Sequence, residues 1–300
     1  MGAEELIEPA RAVDHPRLAG LYAMATMCWM AGRVEAALGY EDALQRVIDS
    51  GGGQMPFGIE GMLGGAYLAI GQPERTVELC LAQLAQGHDS HGFIRASLVL
   101  ALTLAGSHDE AMAVGKGLID TAEATRNPWA RSLAFFGCGF AFSATDSVRA
   151  LDAMRRGLVI AQDSGNRANE SFLAIALARV EAEHGDPLAA LDYVTLAIRR
   201  HHDSGNVALI RPALAILAAF LDRLGRCEPA ATIAGFALNP LSATTFPEIN
   251  SIIAHLRDVL GDQTYESLAR RGETMTTVEM ATYAYDQIDQ ARAELNAVSK

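Results

Sequence analysis

A short turn that joins two apolar helical segments recurs along the chain, and this repeat constrains the fold more than any other feature. The central residue of the turn, called here the turn position, is occupied by Gly32, Gly71, Gly106, Thr145, Gly185 and Gly225. Successive turn positions lie 39, 35, 39, 40 and 40 residues apart. A nearly constant period of this length indicates a protein built from stacked structural repeats.

Small residues stand at two constant distances from the turn positions. Five residues after them the chain has Ala37, Thr76, Ala111, Ala150, Ala190 and Ala230. Seven residues before them it has mostly small residues, which are Ala25, Gly64, Val99, Cys138, Ala178 and Ala218. Small side chains on both sides of a turn let two helix backbones approach closely, and Gly allows the left-handed conformation in which helices often end. Each repeat is therefore predicted to be a first helix, a tight turn and a second helix.

This combination of a turn Gly and small residues on both sides resembles the tetratricopeptide repeat, which is usually about 34 residues long. The chain differs from that pattern by its longer repeats, by the lack of a Trp early in the first helix, and by Thr145 at one turn. The resemblance implies an all-α, right-handed superhelix of about six helix pairs of 35–40 residues each. We predict these repeats in residues 1–240 and C-terminal capping helices of the same solenoid in residues 241–300.

The pattern of residues 260–284 makes the resemblance more specific. Leu260, Gly272, Met275, Glu279 and Tyr283 belong to this pattern. It is similar to the segment that closes the helical-repeat region in actinobacterial LuxR-type transcriptional regulators with an ATPase module, and in multidomain class III adenylyl cyclases. The resemblance implies a regulatory or interaction module of a bacterial signalling protein. The sequence has no GxxxxGK[ST] phosphate-binding loop and no strand-borne aspartate pair, so we predict that this chain is not an enzyme.

Charge and cysteine content exclude further classes of function. The chain has 24 Lys and Arg against 36 Asp and Glu, a net charge of −12, which argues against direct binding of nucleic acid. Its 4 cysteines form no CxxC pair and are typical of reduced thiols. No signal-peptide pattern and no apolar stretch of membrane-spanning length is present. We expect a cytoplasmic protein without membrane association, cofactor or bound metal.

The concave face of a helical-repeat superhelix usually binds its partner and is lined by the first helix of each pair. Aromatic residues predicted to line this groove are Tyr22, Trp29, Phe93, Phe135, Phe142 and Phe172. Charged residues predicted at one end of it are Arg179, Glu181, Glu183, Asp222 and Arg223. We expect this groove to bind a protein or peptide, or a small apolar ligand.

Other interpretations of the same residues remain open. The aromatic residues also fit in the core between repeats, and the charged ones fit equally well on a solvated helix face. In that case the protein is a structural scaffold that sets oligomerisation, with a homodimer as the simplest assembly. Histidines near helix ends, among them His88, His91, His108, His201 and His202, are explained by the helix dipole, and no ligand set accompanies them at a recognised metal-binding spacing.

Overall fold

The computed structural model describes residues 20–21, 23–28, 31, 33–50, 64, 67–68, 70–87, 89, 92–124 and 126–298. The helices, in chain order, are α1 (Val34–Asp49), α2 (Pro73–Ala85), α3 (Phe93–Leu104), α4 (His108–Gly115), α5 (Leu118–Ala124), α6 (Pro128–Phe142), α7 (Ser147–Asp163), α8 (Arg167–His184), α9 (Pro187–Asp203), α10 (Val207–Arg223), α11 (Cys227–Ala237), α12 (Pro240–Thr245), α13 (Ile249–Leu260), α14 (Asp262–Glu273) and α15 (Thr277–Val298). These ranges contain no strand, which confirms the all-α prediction for them. Within them, no helix has both the length and the apolar character required to cross a membrane.

The chain divides into two compact units, Met1–Ala141 and Phe142–Lys300. In the first unit, α2 packs on α3 and α3 packs on α4. Helices α3 and α6 meet through the rings of Phe93 and Trp129, whose centroids are 4.7 Å apart. They also meet at Gly137, where an added Cβ would lie 3.2 Å from the carbonyl oxygen of Ala96. The small residue therefore sets how closely these two helices approach.

In the second unit, α7 packs on α8, α8 on α9, α9 on α10, and α10 on α11. Helices α8 and α10 precede turn positions and are first helices, whereas α7, α9 and α11 are second helices. Helix α8 also contacts α10, and α10 contacts α13, so helices that are not adjacent in sequence meet as well. Helices α13, α14 and α15 share one hydrophobic cluster with α9, α10 and α11. Residues 249–298 thus cover helices of the last repeats.

The small residues around the turns have the packing role that their spacing predicts. All six residues that follow the turn positions by five are buried. Their six counterparts, seven residues before the turns, are also buried. In the second repeat the two positions touch, because Thr76 Oγ1 donates a hydrogen bond to the carbonyl oxygen of Gly64 at 3.0 Å. A Cβ at Gly64 would lie 2.6 Å from that hydroxyl, and the φ of Gly64 is 83°, so both the space and the backbone at this turn residue favour glycine.

The turn positions themselves follow the prediction only in part. Positive φ angles of 76°, 80° and 74° are found at Gly71, Gly106 and Gly225. The prediction is wrong at Gly185, whose φ is −126°, and Thr145 also lacks a positive φ. A side chain at Gly185 would overlap the carboxylate of Glu181, so this glycine is required for space rather than for a left-handed backbone. Gly32 lies outside the described residues.

A second periodic turn, which leads from one pair into the next, was missed in the sequence analysis. This turn is found three times among the described residues, and its last residue each time caps the first helix that follows. These capping residues are Asn127, Asn166 and Asn206. Their side-chain oxygens accept backbone N–H groups at 2.9, 3.2 and 3.0 Å. The residue directly before each capping asparagine has a left-handed backbone conformation. These residues are Arg126, Gly165 and Gly205, with φ angles of 54°, 69° and 68°. Arg126 therefore holds a position that the later repeats give to glycine.

Replacing this strained arginine with glycine is expected to stabilise the protein. A residue with a Cβ costs roughly 1 kcal/mol or more in the left-handed region, so Arg126→Gly should raise the free energy of unfolding by about 0.5–1 kcal/mol. The matched control is Gly205→Ala at the equivalent position, where the new Cβ meets nothing within 4 Å and strain alone should lower stability by about 1 kcal/mol. Urea denaturation measures both changes. A lower urea midpoint for Arg126→Gly would contradict this interpretation.

Helices α11 and α14 cross with their backbones in direct contact. At Gly235, an added Cβ would overlap the backbone of Ala269. At Gly272, it would overlap the carbonyl of Thr232. The two glycines thus open space on facing helices, and each admits the backbone of the other helix. Gly272, which contributed to the family resemblance, has a direct packing role here.

Adding a single methyl group at this crossing should be strongly destabilising. Because backbone atoms cannot move aside without separating the helices, we expect Gly272→Ala to lower the free energy of unfolding by about 2–3 kcal/mol. The control is Gly39→Ala in α1, an exposed helical glycine with nothing within 4 Å of the new Cβ. Helix propensity predicts that this control is stabilised by about 0.5–1 kcal/mol. Urea denaturation measures both variants. A Gly272→Ala variant with the same free energy of unfolding as the wild type would contradict the close crossing.

Candidate functional site

The predicted groove aromatics occupy two different environments. Phe93 and Phe135 are 0% and 1% exposed, so for these two residues the structure favours the core interpretation. Phe142 and Phe172 are only partly buried and stay predicted groove residues. The guanidinium of Arg149 lies 4.1 Å over the ring of Phe142, a cation–π contact that covers one of its faces. Tyr22 and Trp29 lie outside the described residues.

Arg179 on α8 is the centre of a charged cluster in the second unit. Its guanidinium forms an ion pair with Glu248, directly before α13, and a weaker one with Glu183 at 3.6 Å. The same group donates a hydrogen bond to the carbonyl oxygen of Thr245 at 3.4 Å and lies 5.4 Å from the ring centroid of Phe246. Arg179 therefore connects α8 to the segment that begins α13.

Asp222 on α10 forms a second polar contact with α13. Both of its carboxylate oxygens lie 3.0 Å from Nδ1 of His255. The Cys227 sulfur lies 3.8 Å from one of them, and burial, aided by the Asp222 charge, raises the pKa of this thiol. Since His255 follows Glu248 by seven residues, or about two helical turns, both contact residues lie along one side of α13.

Three of the five charged residues predicted from the sequence take part in two neighbouring groups of contacts, Arg179 with Glu183 and Glu248, and Asp222 with His255. We call the resulting cluster the charged ladder; its members are Arg179, Glu183, Asp222, Glu248 and His255. It extends over α8, α10 and α13 and contains three carboxylates against one guanidinium. Glu248 and His255 were not identified from the sequence, because each pairs with a residue more than 30 positions away in the chain.

The other two predicted charged residues have different environments. Glu181 is 1% exposed and forms an ion pair with Arg155 of α7. It also accepts the backbone N–H of Asp186 at 2.9 Å, so it holds the turn between α8 and α9. Both interpretations offered for Glu181, a groove residue or a residue on a solvated helix face, are wrong because its carboxylate is buried. Arg223 is exposed at the end of α10.

The histidines do not assemble into a metal site in the described part of the chain. No group of three or more His, Cys, Asp or Glu side chains in these ranges is placed to hold a metal ion. His88 and His91 lie outside the described residues. His201 is 3% exposed, and burial lowers its pKa from 6.5 to about 4. Its Nε2 atom is buried without a hydrogen-bond partner among the described atoms, which further disfavours the charged form.

His201 should make the protein less stable in acid. The unfolded chain binds a proton near pH 6.5, whereas the folded protein does so only near pH 4. The stability contributed by neutral His201 is therefore present above pH 6.5 and is lost as the pH falls towards 4, by up to about 3 kcal/mol. We expect His201→Gln to flatten this dependence between about pH 7 and pH 5, measured by urea denaturation. The adjacent control His202→Gln should keep the wild-type slope, and equal slopes for both variants would contradict the assignment.

An open cavity of about 620 Å³, which the sequence analysis did not identify, lies within the second unit. It is lined by Gly225, Arg226, Cys227, Glu228, Pro229, Thr232, Val259, Leu260, Leu268, Arg271, Tyr283, Gln287 and Gln290, and is called here the α11–α15 cavity. The Arg226 guanidinium donates to the main-chain oxygen of Gln287 at 3.1 Å, and to the side-chain oxygens of Gln287 and Gln290 at 2.9 and 2.5 Å. Arg226 is thereby held in place by α15.

One sequence signal for this cavity was available. Arg226 directly follows its turn position, where Asp146 and Asp186 accept backbone N–H groups and cap the second helices of the two preceding repeats. Helix α11 has no side-chain cap at this position. A basic residue in place of the capping carboxylates of the two preceding repeats indicates that the last repeat has different contacts at this turn.

Comparison with protein-family models and with curated proteins found no match for this chain. Fold and site geometry therefore define its class: the described residues form an all-α protein in which many consecutive helices of each unit pack on one another. Within the second unit, this arrangement supports two candidate sites, the charged ladder and the α11–α15 cavity.

Proposed function

We propose that this protein is a non-catalytic helical-repeat module of a bacterial signalling or transcriptional regulator, related to the tetratricopeptide-like regions of LuxR-type regulators and multidomain class III cyclases. Its helix pairs form a right-handed superhelix that binds a peptide segment of a partner protein in the concave groove. The proposal is supported by the 35–40-residue period and by the burial of the small residues on both sides of every turn.

The charged ladder is the observation that carries the binding proposal. In a stack of helix pairs, the first helices line the concave face, and α8 and α10 are consecutive first helices. The ladder contains three carboxylates and one guanidinium, and Glu183, Glu248 and His255 retain 26%, 42% and 56% exposure of their side chains. This excess of negative charge favours a partner segment that carries Lys or Arg.

Beside the ladder, Phe172 on α8 offers a partly exposed aromatic ring to the same first-helix surface. An aromatic side chain contributes a large contact area for an apolar residue of the partner. The preferred ligand is therefore a short peptide in which a basic residue neighbours an apolar one. Binding that alters the packing of adjoining repeats would influence an attached or associated output domain.

A random-peptide library selected on the immobilised protein tests this proposal. We expect enrichment of peptides that combine Lys or Arg with an apolar residue, relative to selection on an unrelated helical protein. For the enriched peptides, the double variant Glu183→Gln, Glu248→Gln should weaken binding about three- to tenfold, because it removes two partly exposed charges. Calorimetry or biolayer interferometry measures this loss.

Glu78→Gln is the matched control for the charge change. Glu78 is an exposed glutamate on α2, which follows the turn at Gly71 and is a second helix, so its replacement should leave peptide affinity unchanged. Equal weakening by the control, or no enrichment of basic peptides, would contradict groove binding.

The scaffold alternative is supported by one observation, the complete burial of Phe93 and Phe135. If the aromatic residues serve only as core, the protein sets oligomerisation through another surface. Light scattering separates the two proposals: a scaffold variant such as Phe135→Leu would lose stability and assembly together, whereas a groove module keeps its mass when the ladder is changed.

A further inference from the structure

The walls of the α11–α15 cavity have two chemically different sides. Pro229, Val259, Leu260 and Leu268 provide an apolar side, and Val259 is a large hydrophobic residue left 54% exposed. Arg226, Arg271, Gln287 and Gln290 provide a polar side, with the ring of Tyr283 near Arg271. A volume of about 620 Å³ is in the range of small-molecule sites in proteins.

The two arginines of the polar side differ in how far their guanidinium groups are already bound by other residues. Arg226 is fully occupied by Gln287 and Gln290, and Glu294 lies 3.8 Å from it. The Arg271 guanidinium lies 5.6 Å from the centroid of the Tyr283 ring, and no carboxylate of the described residues pairs with it. Stacking on an aromatic ring orients a guanidinium while leaving its N–H donors free. Arg271 is thus an oriented, unpaired cation beside an apolar wall.

The remaining charges around the cavity limit what this cation can bind. Glu228 is an exposed carboxylate of the lining and balances one of the two arginines. Its presence disfavours a dianionic phosphate, which needs several cationic donors at once. A single free guanidinium matches a carboxylate, because its parallel N–H groups bind both oxygens in a bidentate pair.

We propose that the α11–α15 cavity binds a small organic carboxylate, with the carboxylate on Arg271 and its apolar body against Val259, Leu260 and Leu268. The site is made by residues outside the charged ladder, so this proposal stands independently of peptide binding in the groove. Its position, between the turn at Gly225 and the covering helices α13 to α15, would allow the ligand to bind to the last repeat and its covering helices together.

The experiment compares carboxylates with their uncharged amides on the full chain. Octanoate and 4-phenylbutanoate are titrated into isotope-labelled protein, alongside octanamide and 4-phenylbutanamide, and followed by NMR chemical-shift changes. We expect saturable binding of the acids at least about tenfold tighter than that of the amides, since the charge-assisted pair is lost in the amide. Inorganic phosphate should not displace the acids. Equal binding of acid and amide, no binding of any acid, or displacement by phosphate would each overturn the proposal.

Two adjacent arginines on α14 provide a matched pair of variants. Arg271→Gln removes the proposed cation and should weaken octanoate binding about tenfold, whereas Arg270→Gln makes the same charge change in a residue that does not line the cavity. Arg270 and Arg271 both line a neighbouring groove with Gln263 and Ser267, so an equal loss in both variants would place the ligand in that groove and overturn the assignment. Circular dichroism and the thermal midpoint verify that both variants are folded, and Arg271→Lys, which keeps the charge without the bidentate geometry, should bind with intermediate affinity.

Discussion

Close contact between helix backbones, permitted by small residues at repeated positions, is the constraint on which the rest of the structure depends. Every residue five positions after a turn position is buried, and Thr76 contacts the backbone of Gly64. The contact is closest where α11 crosses α14, because Gly235 and Gly272 have no side chain and the backbone of the other helix lies against each of them. An alanine-rich core of this kind derives its packing from backbone proximity more than from large side chains.

Polar interactions then determine how neighbouring helices are connected. Glu181 is almost completely buried and is held by Arg155 and by the backbone at Asp186, which accounts for the lack of a side chain at Gly185. Carboxylates with so little exposure require such partners, because an unpaired buried charge is costly. The charged ladder differs from this pair in that several of its members remain partly exposed, which leaves them available to a partner.

Both proposed sites depend on the last part of the chain, where the repeat pattern changes. Helix α13 supplies Glu248 and His255 to the ladder, and α13, α14 and α15 supply most of the polar and apolar walls of the cavity. Arg226 shows how one residue changes role, because it replaces the capping aspartates of earlier repeats and is held by Gln287 instead. Covering the final repeats thus creates surfaces that the internal repeats lack.

The sequence by itself determined the helical class, the places of the described turns between first and second helices, and the buried small residues, because periodic spacing reports directly on local conformation and on helix crossings. It also indicated Arg179, Glu183 and Asp222 as parts of one charged region. Only the tertiary structure decided that Phe93 and Phe135 are interior, that Glu181 is buried, and that Gly185 is needed for space. The ladder partners and the cavity were likewise decided there, since Arg226 and Gln287 are 61 residues apart and meet only when α15 packs on the preceding helices. Such contacts depend on long-range packing, which no local pattern of residues encodes.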